Sequence, residues 1–362
     1  MANKAILLFS LLVLFLGLSG LSDATKYKKL VGIYELRKGD FSIKVTNWGA
    51  TIISVVVPDN KGNLADIVLG YDSIRSYVNG TYYFGALVGR VANRIAGARF
   101  TINGTPYRLY RNNGNNSLHG GHRGYNAVIW DVKEKVDGDS PYITFYYHSF
   151  DGEQGFPGDV DVYVTYKISH DYKLAVTMHA KPGNKLTPIN LAQHSYWNLG
   201  GHSSGTILNH RVQIFASHIT PVNSELIPTG QITSVDNTPF DFRKPVTVGS
   251  QISQVEGGYD INYVVDSTPD ELGLRKVAVV EDSRSGRVME LWANQPGVQF
   301  YTGNFLNGTE GKGGAKYMQH DGLCLETQDY PDAVHHANFP NEIYGPGQAY
   351  EHLMLYKFSA RK

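Results

Sequence analysis

The sequence predicts an all-β protein in which most of the 362 residues build one large antiparallel β-sandwich. Three observations carry this expectation. Apolar and polar residues alternate with period two in run after run, the pattern of a strand with one buried face. Clusters of Gly, Asn, Asp and Pro separate the runs, and these residues favour tight turns. The 39 glycines and 24 tyrosines suit a wide antiparallel sheet system with long loops.

In chain order, the alternating runs begin with Phe41-Ser-Ile-Lys-Val-Thr, Ile143-Thr-Phe-Tyr-Tyr and Val160-Asp-Val-Tyr-Val-Thr-Tyr. They continue with Leu174-Ala-Val-Thr-Met, Val277-Ala-Val-Val-Glu, Val288-Met-Glu-Leu-Trp and Leu353-Met-Leu-Tyr-Lys-Phe. Turns are expected at Pro58-Asp-Asn-Lys-Gly, Asp137-Gly-Asp-Ser-Pro, Pro182-Gly-Asn and Asp282-Ser-Arg-Ser-Gly. A single short helix is predicted around residues 73–77. With no Gly/Ser linker, low-complexity tract or internal repeat, nothing divides the chain, so residues 25–362 are expected to form one domain.

Residues 1–24 are read apart from the fold. Lys4 precedes an apolar stretch over residues 5–18, and Ser22 and Ala24 are small residues before Thr25. This is the layout of a cleaved secretory signal peptide, with an uncleaved membrane anchor as the rival reading. A secreted protein with no membrane attachment after cleavage is expected. Four N-x-S/T sequons, at Asn79, Asn103, Asn115 and Asn307, are then possible glycan acceptors. The lone Cys324 permits no internal disulfide.

Lys+Arg and Asp+Glu both number 33. That balance, with no basic cluster, argues against nucleic acid as a partner. Neither G-x-S-x-G nor G-x-G-x-x-G nor H-E-x-x-H occurs, so serine hydrolysis, dinucleotide binding and a zincin site lack support. His119 and His122 have a metal-like spacing, but no third ligand is signalled and no metal is expected. Gly311-Lys-Gly-Gly-Ala-Lys is glycine-rich without the P-loop pattern.

Polar, titratable residues concentrate in three places. One is Gly89-Arg-Val-Ala-Asn-Arg-Ile-Ala with the later Asn112-Asn-Gly-Asn-Asn-Ser-Leu-His-Gly-Gly-His. A second is Ile189-Asn-Leu-Ala-Gln-His-Ser-Tyr-Trp-Asn-Leu, where a strand would turn Asn190, Ala192, His194 and Tyr196 to one face. The third is Cys324-Leu-Glu-Thr-Gln, preceded by Gln295-Pro-Gly-Val-Gln-Phe-Tyr-Thr-Gly-Asn. His194 among apolar neighbours suits proton transfer near neutrality, unless it is a structural histidine. Glu326 beside leucines suits a base of raised pKa, unless an arginine such as Arg90 or Arg94 pairs with it.

Taken together, the runs at residues 89–95, 116–121, 193–199, 295–304 and 324–328 resemble the aldose 1-epimerases, or galactose mutarotases, in order along residues 29–362. The resemblance implies a β-supersandwich fold and cofactor-free interconversion of the α and β anomers of free hexoses such as glucose and galactose. By motif it makes Glu326 the base and His194 the acid, acting as a carboxylate and an imidazolium. Asn93, Arg94, His119, Tyr196, Asp260 and Gln299 would hold the sugar, with Asp260 on the shortest match. Tyr196 or Trp197 would cover a C–H face of the ring. A carbohydrate-binding protein on the same fold, without catalysis, is the alternative. A glycoside hydrolase would need two carboxylates flanking a bond.

Overall fold

A computed structural model describes residues 30–361, so the predicted signal peptide lies outside the described residues. Among the described residues the largest sheet is antiparallel and nine-stranded. Its spatial order is Asp131–Val136, Tyr142–Ser149, Val160–Ser169, Lys173–Pro182, Tyr350–Ala360, Arg287–Ala293, Arg275–Glu281, Arg211–Ile214 and Val246–Thr247. Every alternating run named above except Phe41-Ser-Ile-Lys-Val-Thr falls in this sheet. That run forms Phe41–Thr46 in a four-stranded antiparallel sheet with Ile33–Lys38, Thr51–Pro58 and Leu64–Asp66.

The alternation does what period two requires. Along Val160–Ser169 the side chains of Val160, Val162, Val164, Tyr166 and Ile168 are fully buried, while the residues between them face outward. They join one continuous core with Ile43 and Val45 of the four-stranded sheet and with Ile261, Val298, Phe300 and Leu325 of a five-stranded sheet. Burial of this kind, at about 25 cal/mol per Å² of apolar surface, holds the layers together in the absence of any disulfide.

The five-stranded sheet carries the site. It runs Thr233–Ser234, Ala216–Thr220, Asp260–Val265, Gly297–Tyr301 and Cys324–Gln328. The short helix is present as Ile74–Asn79, capped by Ser73, whose hydroxyl accepts from the Ser76 amide. The predicted strand through His194 is shorter than its pattern suggested. Only Ala192–His194 forms a strand, paired with Ala86–Val88, while Asn190 and Trp197 make isolated bridges.

Candidate active site

Register in the five-stranded sheet gathers the polar residues. Gln299 lies opposite Glu326, and Tyr301 lies between Asp260 and Cys324. Directly opposed residues of antiparallel strands share a face, so one sheet face presents Asp260, Gln299, Tyr301, Cys324 and Glu326 together. The Gln299 amide donates to Asp260 Oδ1 at 2.6 Å. A paired bridge between Trp197 and Leu323 lays the segment after His194 beside the start of the Glu326 strand.

The chain around residues 89–95 and 116–121 closes the other side. Arg94 pairs with Leu118, and the His119 amide donates to Asn93 O at 2.9 Å. The approach is close enough to require glycine. Gly120 has φ +85°, and a Cβ there would sit 2.0 Å from Gly89 O. Arg94 Nε donates to Asn113 Oδ1 at 3.0 Å, which orients the guanidinium.

These pieces enclose a cavity of about 600 Å³, lined by all eight residues predicted for the site: Asn93, Arg94, His119, His194, Tyr196, Asp260, Gln299 and Glu326. At its floor His194 Nε2 and Glu326 Oε1 are 3.6 Å apart, with both side chains more than nine-tenths buried. Neither Arg90 nor Arg94 forms an ion pair with Glu326. Arg90 is committed elsewhere, donating to Pro157 O, Gly158 O and Thr187 Oγ1.

Burial dominates the electrostatics. Burial and then the charge of Asp260 push the Glu326 carboxyl well above its usual range, while Arg94 opposes the rise. Burial likewise raises Asp260, again against Arg94. It lowers His194 to about 4 and, with His194 and Arg94 nearby, takes His119 well below its ordinary value. The imidazolium expected from the sequence is therefore a neutral imidazole in the free site, because no sequence pattern reports how completely a side chain is desolvated.

His119, His194 and Glu326 each offer one ligand atom within 4.8 Å of the others, the one such group of three among the described residues. Its donor chemistry favours hydrogen bonding over a cation. The Asn93 amide donates to His119 Nδ1 at 3.1 Å, so the neutral ring carries its proton on Nε2. A cation at Nε2 would have to displace that proton. His122 does not join the group. It packs edge-on against Tyr110.

Other expectations are redirected. Trp197 faces the core, tilted against Tyr356 and Phe358, and only Tyr196 reaches the cavity. Successive residues of an extended chain point to opposite sides, which makes the two exclusive. Asn190 does not line the cavity. Its side chain accepts from the Asp329 amide and donates to Asp329 O, tying the two strand segments together. Lys312 is partly buried and paired with Asp66 at 2.6 Å.

Sequence reasoning missed the outer wall, which includes Tyr82, Tyr83, Leu226, Tyr301 and Phe305. Tyr301 stood inside a quoted motif. The others carry no spacing signal.

The aldose 1-epimerase family profile matches residues 32–357. The chain belongs to the aldose 1-epimerase family. As a member it is an isomerase that interconverts the anomers of a free aldose. It is 44% identical to a galactose mutarotase of Bos taurus and 42% identical to that of Homo sapiens, each match spanning 90% of this chain and 93% of the relative. An aldose 1-epimerase of Escherichia coli K12 is 33% identical over 88% of this chain and 92% of its own. The crystal structure of a GalM/aldose epimerase homologue from C. elegans superposes with a TM-score of 0.85 at 28% identity, covering 92% of this chain and all of that one. The enzyme thus combines its family's motifs with a cavity that brings them to one place.

Proposed function

We propose that this epimerase acts on free hexoses such as glucose and galactose, with Glu326 as base and His194 as acid, and without a cofactor. The observation that carries the reading is the 3.6 Å separation of His194 Nε2 and Glu326 Oε1 on the cavity floor. The anomeric hydroxyl and the ring oxygen of a pyranose are bonded to the same carbon. An acid and a base that serve both must therefore lie within a few ångströms of each other.

Glu326 takes the proton of the anomeric hydroxyl while His194 delivers one to the ring oxygen, and the ring bond opens. The aldehyde rotates about its bond to C2, and reclosure runs the same transfers backwards on the other face. Each positioned group contributes roughly 10²–10⁴-fold. A proton passed from a neutral Glu326 to His194 Nε2 gives the charged isomer, carboxylate with imidazolium, at the same proton count. Arg94 supports the carboxylate in that isomer, as its opposition to the rise at Glu326 indicates. His119, with Nδ1 occupied, presents Nε2–H to the oxygen where charge develops. Asp260, Gln299, Asn93 and Arg94 supply donors and acceptors to the hydroxyls, and Tyr196 an apolar face.

Polarimetry of freshly dissolved α-glucose and α-galactose, with protein in catalytic amounts, tests the reading. Faster decay to the equilibrium rotation with both sugars is expected. Saturable binding with no acceleration would overturn it.

We also propose that the chain is routed through the secretory pathway, cleaved before Thr25 and glycosylated. The apolar leader supports this, as does the exposure of all four sequon asparagines. Asn79, Asn115 and Asn307 each lie within two residues of a cavity-lining residue: Thr81, Gly114 and Phe305. N-terminal sequencing and glycopeptide mass analysis of the protein from a eukaryotic secretory host check both points. Retention of the leader in the cytosol would overturn them.

A further inference from the structure

We propose that Tyr83 and Cys324 are positioning residues for His194: the tyrosine ring fixes the plane of the imidazole and favours its protonated form, and the thiol sulfur at Nδ1 holds the resting proton there, so that Nε2 is free to take a proton from Glu326 and pass it to the sugar. The proposal rests on the reading of His194 as the acid.

The geometry around the ring points to this arrangement. Tyr83 stacks with His194 at 5.6 Å between centroids and 30° between planes, and meets His119 edge-on at 4.8 Å. Tyr196 stacks with the same imidazole at 5.2 Å and 28°. An aromatic face attracts a cation and is nearly indifferent to a neutral ring, so these contacts strengthen as His194 gains its proton. That is selective support for the charged isomer of the acid–base pair, in a site where burial alone opposes it. Tyr83 also has φ +58°, a left-handed backbone that a bulky side chain adopts only at some energetic expense. Residues held this way cluster at ligand sites, and Tyr83 lines the cavity.

Cys324 completes the cradle. Its Sγ lies 3.7 Å from His194 Nδ1, and the residue is fully buried. Burial pushes the thiol well above its usual range, so it stays neutral and its sulfur faces the ring as an acceptor, in keeping with the backbone hydrogen bond that favours a protonated ring. Which nitrogen of a neutral imidazole is protonated follows from the bond made by the other. An acceptor at Nδ1 keeps the hydrogen there and leaves the Nε2 lone pair facing Glu326. His119 is set the opposite way by the Asn93 amide, so His119 offers an Nε2–H to the site while His194 offers an Nε2 that can exchange a proton with Glu326. The remaining titratable groups around His194 are Glu326, Asp260, Arg94, His119, Tyr196 and Tyr301, and none is altered in the variants below.

The test pairs kinetics with ¹⁵N spectra of the imidazole nitrogens in the full mature protein. Cys324→Ala is expected to lower kcat by about tenfold with little change in KM, and to move the His194 nitrogen signals away from the Nδ1–H pattern. Cys324→Ser, whose hydroxyl oxygen can accept in the same place, should restore that pattern and most of kcat, and it alone decides the tautomer question if the alanine variant does not fold. Tyr83→Leu should reduce kcat by about tenfold and shift the His194 limb of the pH–kcat profile down by about one unit, whereas Tyr83→Phe stays near the parent. Unchanged nitrogen signals and an unshifted profile overturn the proposal, as do equal losses in Cys324→Ser and Cys324→Ala. A His194→Asn variant separates the two levels. If it keeps parental kcat, the acid assignment falls; if it loses kcat while the cradle variants change nothing, only the present proposal falls.

Discussion

Glu326 lies in the middle of the strand Cys324–Gln328 and Asp329 follows its last residue, and by local measures the two are alike. Both are buried, each has a carboxylate oxygen with no hydrogen-bond partner among the described residues, and burial raises both carboxyls, Asp329 to about 7. Their surroundings differ. Glu326 opens onto the cavity opposite His194, with Arg94 and Asp260 close enough to act on its charge. Asp329 is not part of the lining. Its backbone is held by the Asn190 amide, and its charge bears on the buried Glu342. A raised carboxyl is therefore a mark of burial first. It marks a site only where an acid, hydroxyl-binding groups and room for a ligand converge on it.

The sharpest way to break that contrast is to neutralise each carboxylate in turn. Glu326→Gln keeps the volume and removes the base, so kcat should fall by about 10³-fold or more while the melting temperature holds or rises. Asp329→Asn should leave kcat within about twofold, because it removes no group from the cavity. Comparable losses of activity in both variants would show that the distinction drawn from the cavity is wrong.

His194→Asn is the next largest effect expected. It deletes the acid but leaves Glu326, His119 and the sugar-binding groups, so a loss of about 10²-fold in kcat with a modest change in KM is predicted. Polarimetry from pH 5 to 8 checks it. A kcat and pH profile identical to the parent would take His194 out of the reaction.

How far this contrast could be read from sequence depends on what kind of fact each half is. Six of the nine strands of the large sheet were legible because alternation is a local consequence of one-sided burial, as along Val160–Ser169, whereas Asp131–Val136, Arg211–Ile214 and Val246–Thr247 were not read from the sequence. The eight cavity residues were legible because their motifs could be matched block by block. The register that sets Gln299 against Glu326, and the loop return that brings His119 onto Asn93, are long-range pairings with no local trace. Tyr83 sits in the aromatic run Tyr82-Tyr83-Phe84, and nothing in that run says which ring meets an imidazole. Asn190 shared a predicted face with His194, yet its amide proved to be a backbone clamp. The neutral state of His194 was hidden for the same reason, since desolvation is a property of the finished cavity.

The smallest expected effect is also the one that asks most of the physics, because it concerns stability and its dependence on pH. An unfolded Asp titrates near 3.9, whereas burial holds Asp329 near 7 in the folded protein. Between those values the folded state binds more protons than the unfolded one. Stability from this group is thus complete below about pH 4 and is lost as pH rises through 7. His194, lowered to about 4, works in the opposite sense, since the unfolded ring takes up its proton first and stability falls as pH drops from about 6.5. Asp329→Asn removes only the first effect. Denaturant melts should show the variant gaining on the parent by about 1–3 kcal/mol at pH 8, with the gain shrinking toward pH 4. A difference that stays constant across that range would mean that Asp329 keeps its charge in the folded protein, and its likeness to Glu326 would then end at burial.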